Sequence, residues 1–184
     1  MIGLTRAPAL RPFCPQPAKT PMTEPVAALS HLDDSGQIRM VDVGAKTPTL
    51  RTAIARGRVR LSGPAYALLT QPGQGKGEVL NTARVAGILA AKRCADLIPL
   101  CHSLPLAFAG VDFSLDDAAC TVDIRATCRT SGQTGVEMEA MTAVSVAALT
   151  LYDMCKAADK GIVIEDICLE YKSGGKSGEW RRED

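Results

Sequence analysis

The chain has 184 residues, 46% of them apolar and 22% charged, with 21 Lys and Arg against 20 Asp and Glu. Such a composition suits a globular domain, while a net charge of +1 and an aromatic content of 4% supply neither the basic surface nor the stacking platforms of a nucleic-acid binder. Seven cysteines at 14, 94, 101, 120, 128, 155 and 168 form no C-x-x-C and accompany only two histidines, which argues against structural zinc and for free thiols in a reducing compartment; no apolar run reaches the ~18 residues of a bilayer crossing.

Residues 1–28 carry Pro8, Pro12, Pro15, Pro17, Pro21 and Pro25 without sustained periodicity and read as a disordered, proline-rich extension. It lacks the apolar region of a secretory signal. Arg6, Arg11 and Lys19, with no acid before Glu24, faintly resemble a transit peptide; a non-functional extension with Met22 as natural start is the plainer reading. Folded structure is expected from about His31. Asp33-Asp34-Ser35-Gly36 reads as a turn, 38–43 as a short strand, 49–61 as a longer strand and 65–70 as a short helix. Residues 71–77 form a glycine-rich loop. Val79, Ala83, Ala86, Ala90, Cys94 and Leu97 recur at spacings of three and four, predicting one helix over 79–98 that Pro99 ends. Residues 104–115 and 120–129 read as a hairpin around Asp116-Asp117, 130–135 as a loop, and 136–158 as the strongest helix. A last strand over 162–171 precedes a Gly-, Ser- and charge-rich tail, of which 179–184 is expected to be flexible. Two long helices among mostly antiparallel strands give an α+β fold, a ferredoxin-like two-layer sandwich.

Candidate chemistry is scattered along this frame. Asp153 and Lys156 share a helix face at i and i+3. Spacing alone favours an exposed ion pair worth about 0–1 kcal/mol, but an Asp near a helix C-terminus opposes the helix dipole and could instead tune a catalytic lysine. Glu137 and Glu139 sit in the first turn of the same helix, beside Gly135. They complement the dipole there, and could equally accept hydrogen bonds from a purine-like ring. His102 follows Cys101 at a helix-to-strand junction. A lone histidine is more often structural, and neighbouring residues on a strand point to opposite faces, which disfavours a Cys-His nucleophilic pair. Lys76, Lys172 and Lys176 lie among glycines, where backbone N–H groups can approach an anion; a solvated loop explains them as simply. The Gly-Lys-Ser of the tail is no P-loop, because the position of the required first glycine holds Glu170.

Several longer motifs resemble a known family. Met40-Val41-Asp42-Val43, Ala83-Arg84-Val85-Ala86-Gly87-Ile88, Leu97-Ile98-Pro99-Leu100-Cys101-His102, Thr134-Gly135-Val136-Glu137-Met138-Glu139-Ala140, Tyr152-Asp153-Met154-Cys155-Lys156-Ala157 and Lys172-Ser173-Gly174-Gly175-Lys176-Ser177-Gly178 resemble, in order, the MoaC family of cyclic pyranopterin monophosphate synthases. The likeness runs through 29–178, a single synthase domain. It implies a lyase that converts 3′,8-cyclo-7,8-dihydro-GTP into cyclic pyranopterin monophosphate and diphosphate, early in molybdenum cofactor biosynthesis. It further implies a homohexamer, a trimer of dimers with active sites between subunits, fed by an upstream radical GTP cyclase.

By the same resemblance Asp153, Lys156 and Lys76 are the catalytic residues. Leu100, Cys101 and His102 line the substrate site, Glu137, Met138 and Glu139 contact the base, and Arg51 and Lys172 meet the triphosphate. No resident cofactor or metal is expected, although magnesium can accompany a triphosphate. A bacterial cytoplasmic setting is implied, with the mitochondrial matrix as the lesser alternative; neither nucleic acid nor membrane is an expected partner. A non-catalytic nucleotide-binding module, or a scaffold for the pathway, is the competing reading, and it would not need Asp153 or Lys156.

Overall fold

A computed structural model describes residues 30–33, 35–70 and 76–183, with the side chains of Lys76 and Gly77 outside the description. The expected extension at 1–28, Asp34 of the first turn and most of the glycine-rich loop therefore lie outside the described residues. Residues His31–Asp184 form one compact unit.

The order is β1 (Thr49–Arg60), α1 (Gly63–Thr70), α2 (Lys76–Lys92), α3 (Cys94–Leu97), β2 (Phe108–Asp116), β3 (Thr121–Gly132), α4 (Glu137–Cys155), β4 (Val163–Ser173) and β5 (Trp180–Arg181). The sheet runs β2-β3-β1-β4-β5, with every neighbouring pair antiparallel. Leaving aside the short α1, α3 and β5, this is a βαββαβ chain with strands ordered 2-3-1-4, the ferredoxin-like sandwich expected from the element pattern.

One sheet face is apolar and carries the helices. Ala53, Ala55 and Val59 of β1 alternate with Arg56, Arg58 and Arg60, and Val122, Ile124, Ala126 and Cys128 of β3 are buried on the same side. This is the period of two that a half-buried strand requires. On α4 the buried set is Ala140, Ala143, Val144, Ala147, Ala148, Leu151 and Cys155, a stripe at helical spacing. Its small side chains let α2 come close. At Gly87 of α2 an added Cβ would lie 2.8 Å from the Ala143 carbonyl oxygen and 3.1 Å from Val111 Cγ2. The opposite sheet face is polar and laced by cross-strand ion pairs. Arg58 binds Asp123 through both carboxylate oxygens, at 2.6 and 3.2 Å, directly across the β1–β3 register. Arg125 pairs with Glu170 and Arg60 with Glu165.

Three element expectations change. Residues 38–43 are not a strand. Only the Leu32–Ile38 bridge forms, Ile38 and Met40 stay exposed, and the following backbone is bonded by side chains from elsewhere, as described below. The helix over 79–98 is broken at Arg93, whose backbone leaves the helical region; the short α3 then buries Cys94 against Thr142 of α4. Strands β3 and β4 each run past their expected ends, because the β1 ladder continues to Thr49–Gly132 on one side and Thr52–Ser173 on the other.

The Gly87 contact gives a direct test. Alanine is favoured over glycine in a helix by about 1 kcal/mol, yet here its methyl must displace a backbone carbonyl, and overpacking costs about 1–3 kcal/mol. Gly87→Ala is expected to lower the urea midpoint of unfolding despite its better helix propensity.

Candidate active site

The first turn of α4, the start of β1 and the end of β4 meet around a cleft of about 560 Å³. Antiparallel pairing makes this inevitable, since β1 begins beside the end of β3, which leads into α4, and beside the end of β4. Arg51 donates from Nε to the Gly132 carbonyl and from Nη2 to the Gln133 carbonyl, both at 3.2 Å. Lys172 Nζ is 2.8 Å from Glu137 Oε1. Gly174 and Gly175 have φ of +102° and +72°, a pair that folds the tail back onto Arg51; a Cβ at Gly174 would fall on the Leu50 carbonyl oxygen, so glycine is required there. Lys46 and Lys176 complete the lining.

Four cations thus face one carboxylate, beside the N-terminus of a helix whose free N–H groups favour negative charge. The cleft is built for a polyanion. Arg51, Lys172 and Glu137 were singled out from the sequence, and Lys176 was noted in its glycine setting. Lys46 was missed, although it lies three residues beyond the Met40–Val43 motif, because a lysine in an irregular segment gives no periodic signal.

Behind the cleft the second acid of the turn is in different surroundings. Glu139 is 4% exposed, and burial raises its carboxyl above the ordinary 4.5, with the Glu137 charge adding to the shift. Its neighbours are thiols. Burial pushes Cys94 and Cys128 up to about 12 and Cys101 upward, with Glu139 also acting on all three. Cys101 approaches Cys94 closely enough to hydrogen-bond it. A thiol held neutral is no nucleophile, and His102 is turned elsewhere, with Nε2 donating to the Val41 carbonyl at 2.8 Å. The Cys-His pair disfavoured on sequence grounds does not form. Leu100 is half-buried and Met138 exposed.

Asp153 and Lys156 occupy the opposite end of α4. They pair with each other, both more than half exposed, and the Asp153 carboxylate holds the Lys156 ammonium above the usual lysine range. At 1.5 Å per residue, the sixteen steps from Glu137 to Asp153 separate the two ends by about 24 Å. One chain therefore brings Arg51, Glu137 and Lys172 together, packs Cys101 near Glu139, and leaves Asp153 and Lys156 apart from both. Lys76 opens α2, with its side chain outside the description. Among the described residues no group of three or more His, Cys, Asp or Glu is placed to hold a metal ion, and no helix is long and apolar enough to cross a membrane. A second concavity of about 440 Å³ on the polar sheet face contains none of the candidate residues, and Arg58 and Arg125 in its wall are satisfied by Asp123 and Glu170.

Fold and cleft together define an α+β domain with a strongly cationic cleft at the N-terminus of α4. The MoaC family model matches residues 40–175. A cyclic pyranopterin monophosphate synthase of Bordetella petrii is 79% identical over 162 residues, covering 88% of this chain and all of that protein. The Bordetella pertussis synthase is 79% identical over 155 residues, 84% of this chain and 96% of its own. The synthase of Chloroflexus aggregans is 57% identical over 163 residues, 89% and 99% of the two chains. The chain belongs to the MoaC family and shares its synthase function.

Glu139 supplies a pH test. A carboxyl raised above its unfolded value stabilises the fold below pH 4.5, and that stabilisation is lost as the pH rises through the folded value. Glu139→Gln keeps the neutral shape without the buried charge. In scanning calorimetry it is expected to melt above the wild type at pH 7–8, the gap closing as the pH falls to 4.5.

Proposed function

We propose that this chain, with the cyclic pyranopterin monophosphate synthase activity of its family, converts 3′,8-cyclo-7,8-dihydro-GTP into cyclic pyranopterin monophosphate and diphosphate in molybdenum cofactor biosynthesis. The observation that carries this reading is the cleft of Lys46, Arg51, Lys172 and Lys176, which fits a triphosphate in charge and in size. The base extends toward Met138, Glu139 and the Leu100–His102 segment. A hydroxyl of the substrate attacks the α-phosphorus, the bond from that phosphorus to the bridging oxygen breaks, diphosphate departs with the electron pair, and the hydroxyl proton passes to the departing diphosphate or to water. Arg51 and Lys172 stabilise the charge that builds on the leaving group. On this reading Glu137 holds Lys172 in place until the phosphates arrive and compete for it.

The ring rearrangement needs proton transfer. Asp153 pairs with Lys156 and orients it or relays its proton, and Lys76 is the further lysine that the family resemblance assigns to catalysis. Given the separation of about 24 Å along α4, a role for Asp153 and Lys156 at the cleft calls for a second subunit to supply them. It supports the homohexamer, a trimer of dimers with sites shared between chains. The bacterial cytoplasm, with a radical GTP cyclase supplying the substrate, is the setting that this chemistry and the reduced thiols fit.

Shared sites can be tested by mixing. Lys156→Ala and Lys172→Ala are each expected to abolish diphosphate release from the cyclic dihydro-GTP. Co-assembled in equal amounts, they should regain about a quarter of the wild-type rate, since one site in four then draws an intact residue from each of its two chains. If the mixture stays inactive while assembling normally, the shared site is wrong. If Lys156→Ala and Asp153→Asn retain full turnover, their catalytic roles are wrong; if a folded wild type binds the nucleotide but releases no diphosphate, the chain is a nucleotide-binding module instead.

A further inference from the structure

The segment 41–46 crosses to the cleft without belonging to any helix or strand. It is shaped from within by the Gly44 amide on Asp42 Oδ1 at 2.8 Å and by a turn in which the Lys46 amide donates to the Val43 carbonyl at 2.9 Å. Among the described residues, two side-chain hydrogen bonds tie it to the body of the domain. His102 Nε2 donates to the Val41 carbonyl, and Gln133 Nε2 donates to the Gly44 carbonyl at 3.3 Å. The second tie reaches the strap two residues before Lys46, inside the turn that orients it.

Gln133 also has a second contact. Its backbone carbonyl accepts the Arg51 Nη2 donor. One residue at the end of β3 thus holds cations on both walls of the cleft: Arg51 through its main chain and Lys46 through its amide side chain and the strap. An exposed lysine on an irregular segment otherwise loses conformational freedom when it meets a ligand, a cost that a pre-ordered backbone removes. We infer that Gln133 is a positioning residue of the site, holding the 41–46 strap so that Lys46 is presented to the phosphates of the substrate. His102 braces the far end of the same strap.

The inference rests on the phosphate reading of the cleft, and the test separates the two. Gln133→Met keeps the side-chain length, removes the donor and leaves the main-chain carbonyl that holds Arg51. The full-length chain is titrated calorimetrically with inorganic triphosphate in four forms: wild type, Gln133→Met, Lys46→Ala and the double variant. Lys46→Ala is expected to weaken binding about tenfold and Gln133→Met about threefold, the ranges for a charged and a neutral hydrogen bond. In the Lys46→Ala background Gln133→Met should change the affinity no further, because its effect passes through Lys46. Amide exchange at Gly44 to Lys46 should quicken in Gln133→Met while the melting temperature holds.

Equal losses in both backgrounds, or no loss in either, overturn the positioning role while leaving the phosphate cleft intact. A wild type that does not bind triphosphate, or a Lys46→Ala variant that binds it undiminished, overturns the phosphate reading and the positioning role with it.

Discussion

Helix α4 lying flat on the sheet is the constraint from which the site follows. Its inward stripe of Ala140, Ala143, Val144, Ala147, Ala148 and Leu151 is wholly buried, and the small side chains bring both the sheet and α2 close. Dense packing of this kind does not slide or flex by ångströms without loss. The nineteen residues of α4 therefore act as a rod of about 28 Å, and whatever chemistry its two ends carry is held that far apart within one chain. The Glu137 end faces the cations of β1 and β4, while the Asp153 end faces solvent. The proposed sharing of sites between chains follows from placing catalytic groups at both ends of such a rod.

Electrostatics divides the labour of neighbouring residues. Glu137 and Glu139 are two positions apart, yet one is paired with Lys172 in a cationic cleft and the other is sealed among thiols that burial keeps neutral. The first is a counter-ion that, under the proposed function, the incoming phosphates displace. The second is a carboxyl whose proton affinity burial raises above that of an ordinary glutamate. The same reasoning changes what Lys156 can do. A lysine paired with an exposed aspartate is held above the usual lysine range, which under the proposed function suits it to carry a charge rather than to take a proton.

Much of this was legible in the sequence where local chemistry decides. The alternation of β1, the stripe of α4 and the Asp116-Asp117 hairpin each follow from periodicity or turn chemistry and recur in the structure. Pattern failed at 38–43, where Ile38 and Met40 alternate like strand residues but find no core to enter, and at Arg93, where burying Cys94 under α4 took precedence over continuing a helix. Lys46 and Gln133 were not legible at all. They are brought to one cleft by tertiary contacts such as the hydrogen bond from Gln133 to Gly44, 89 positions apart, and no spacing rule reaches that far.

Most element types, the α+β class and, through the long motifs, the family could be read from the chain alone, because these depend on side-chain period and residue identity along it. Only the tertiary structure decided which candidates share a site. Arg51, Glu137 and Lys172 are joined because antiparallel pairing brings the start of β1 against the ends of β3 and β4. Asp153 and Lys156 are parted from them because a packed helix keeps its length.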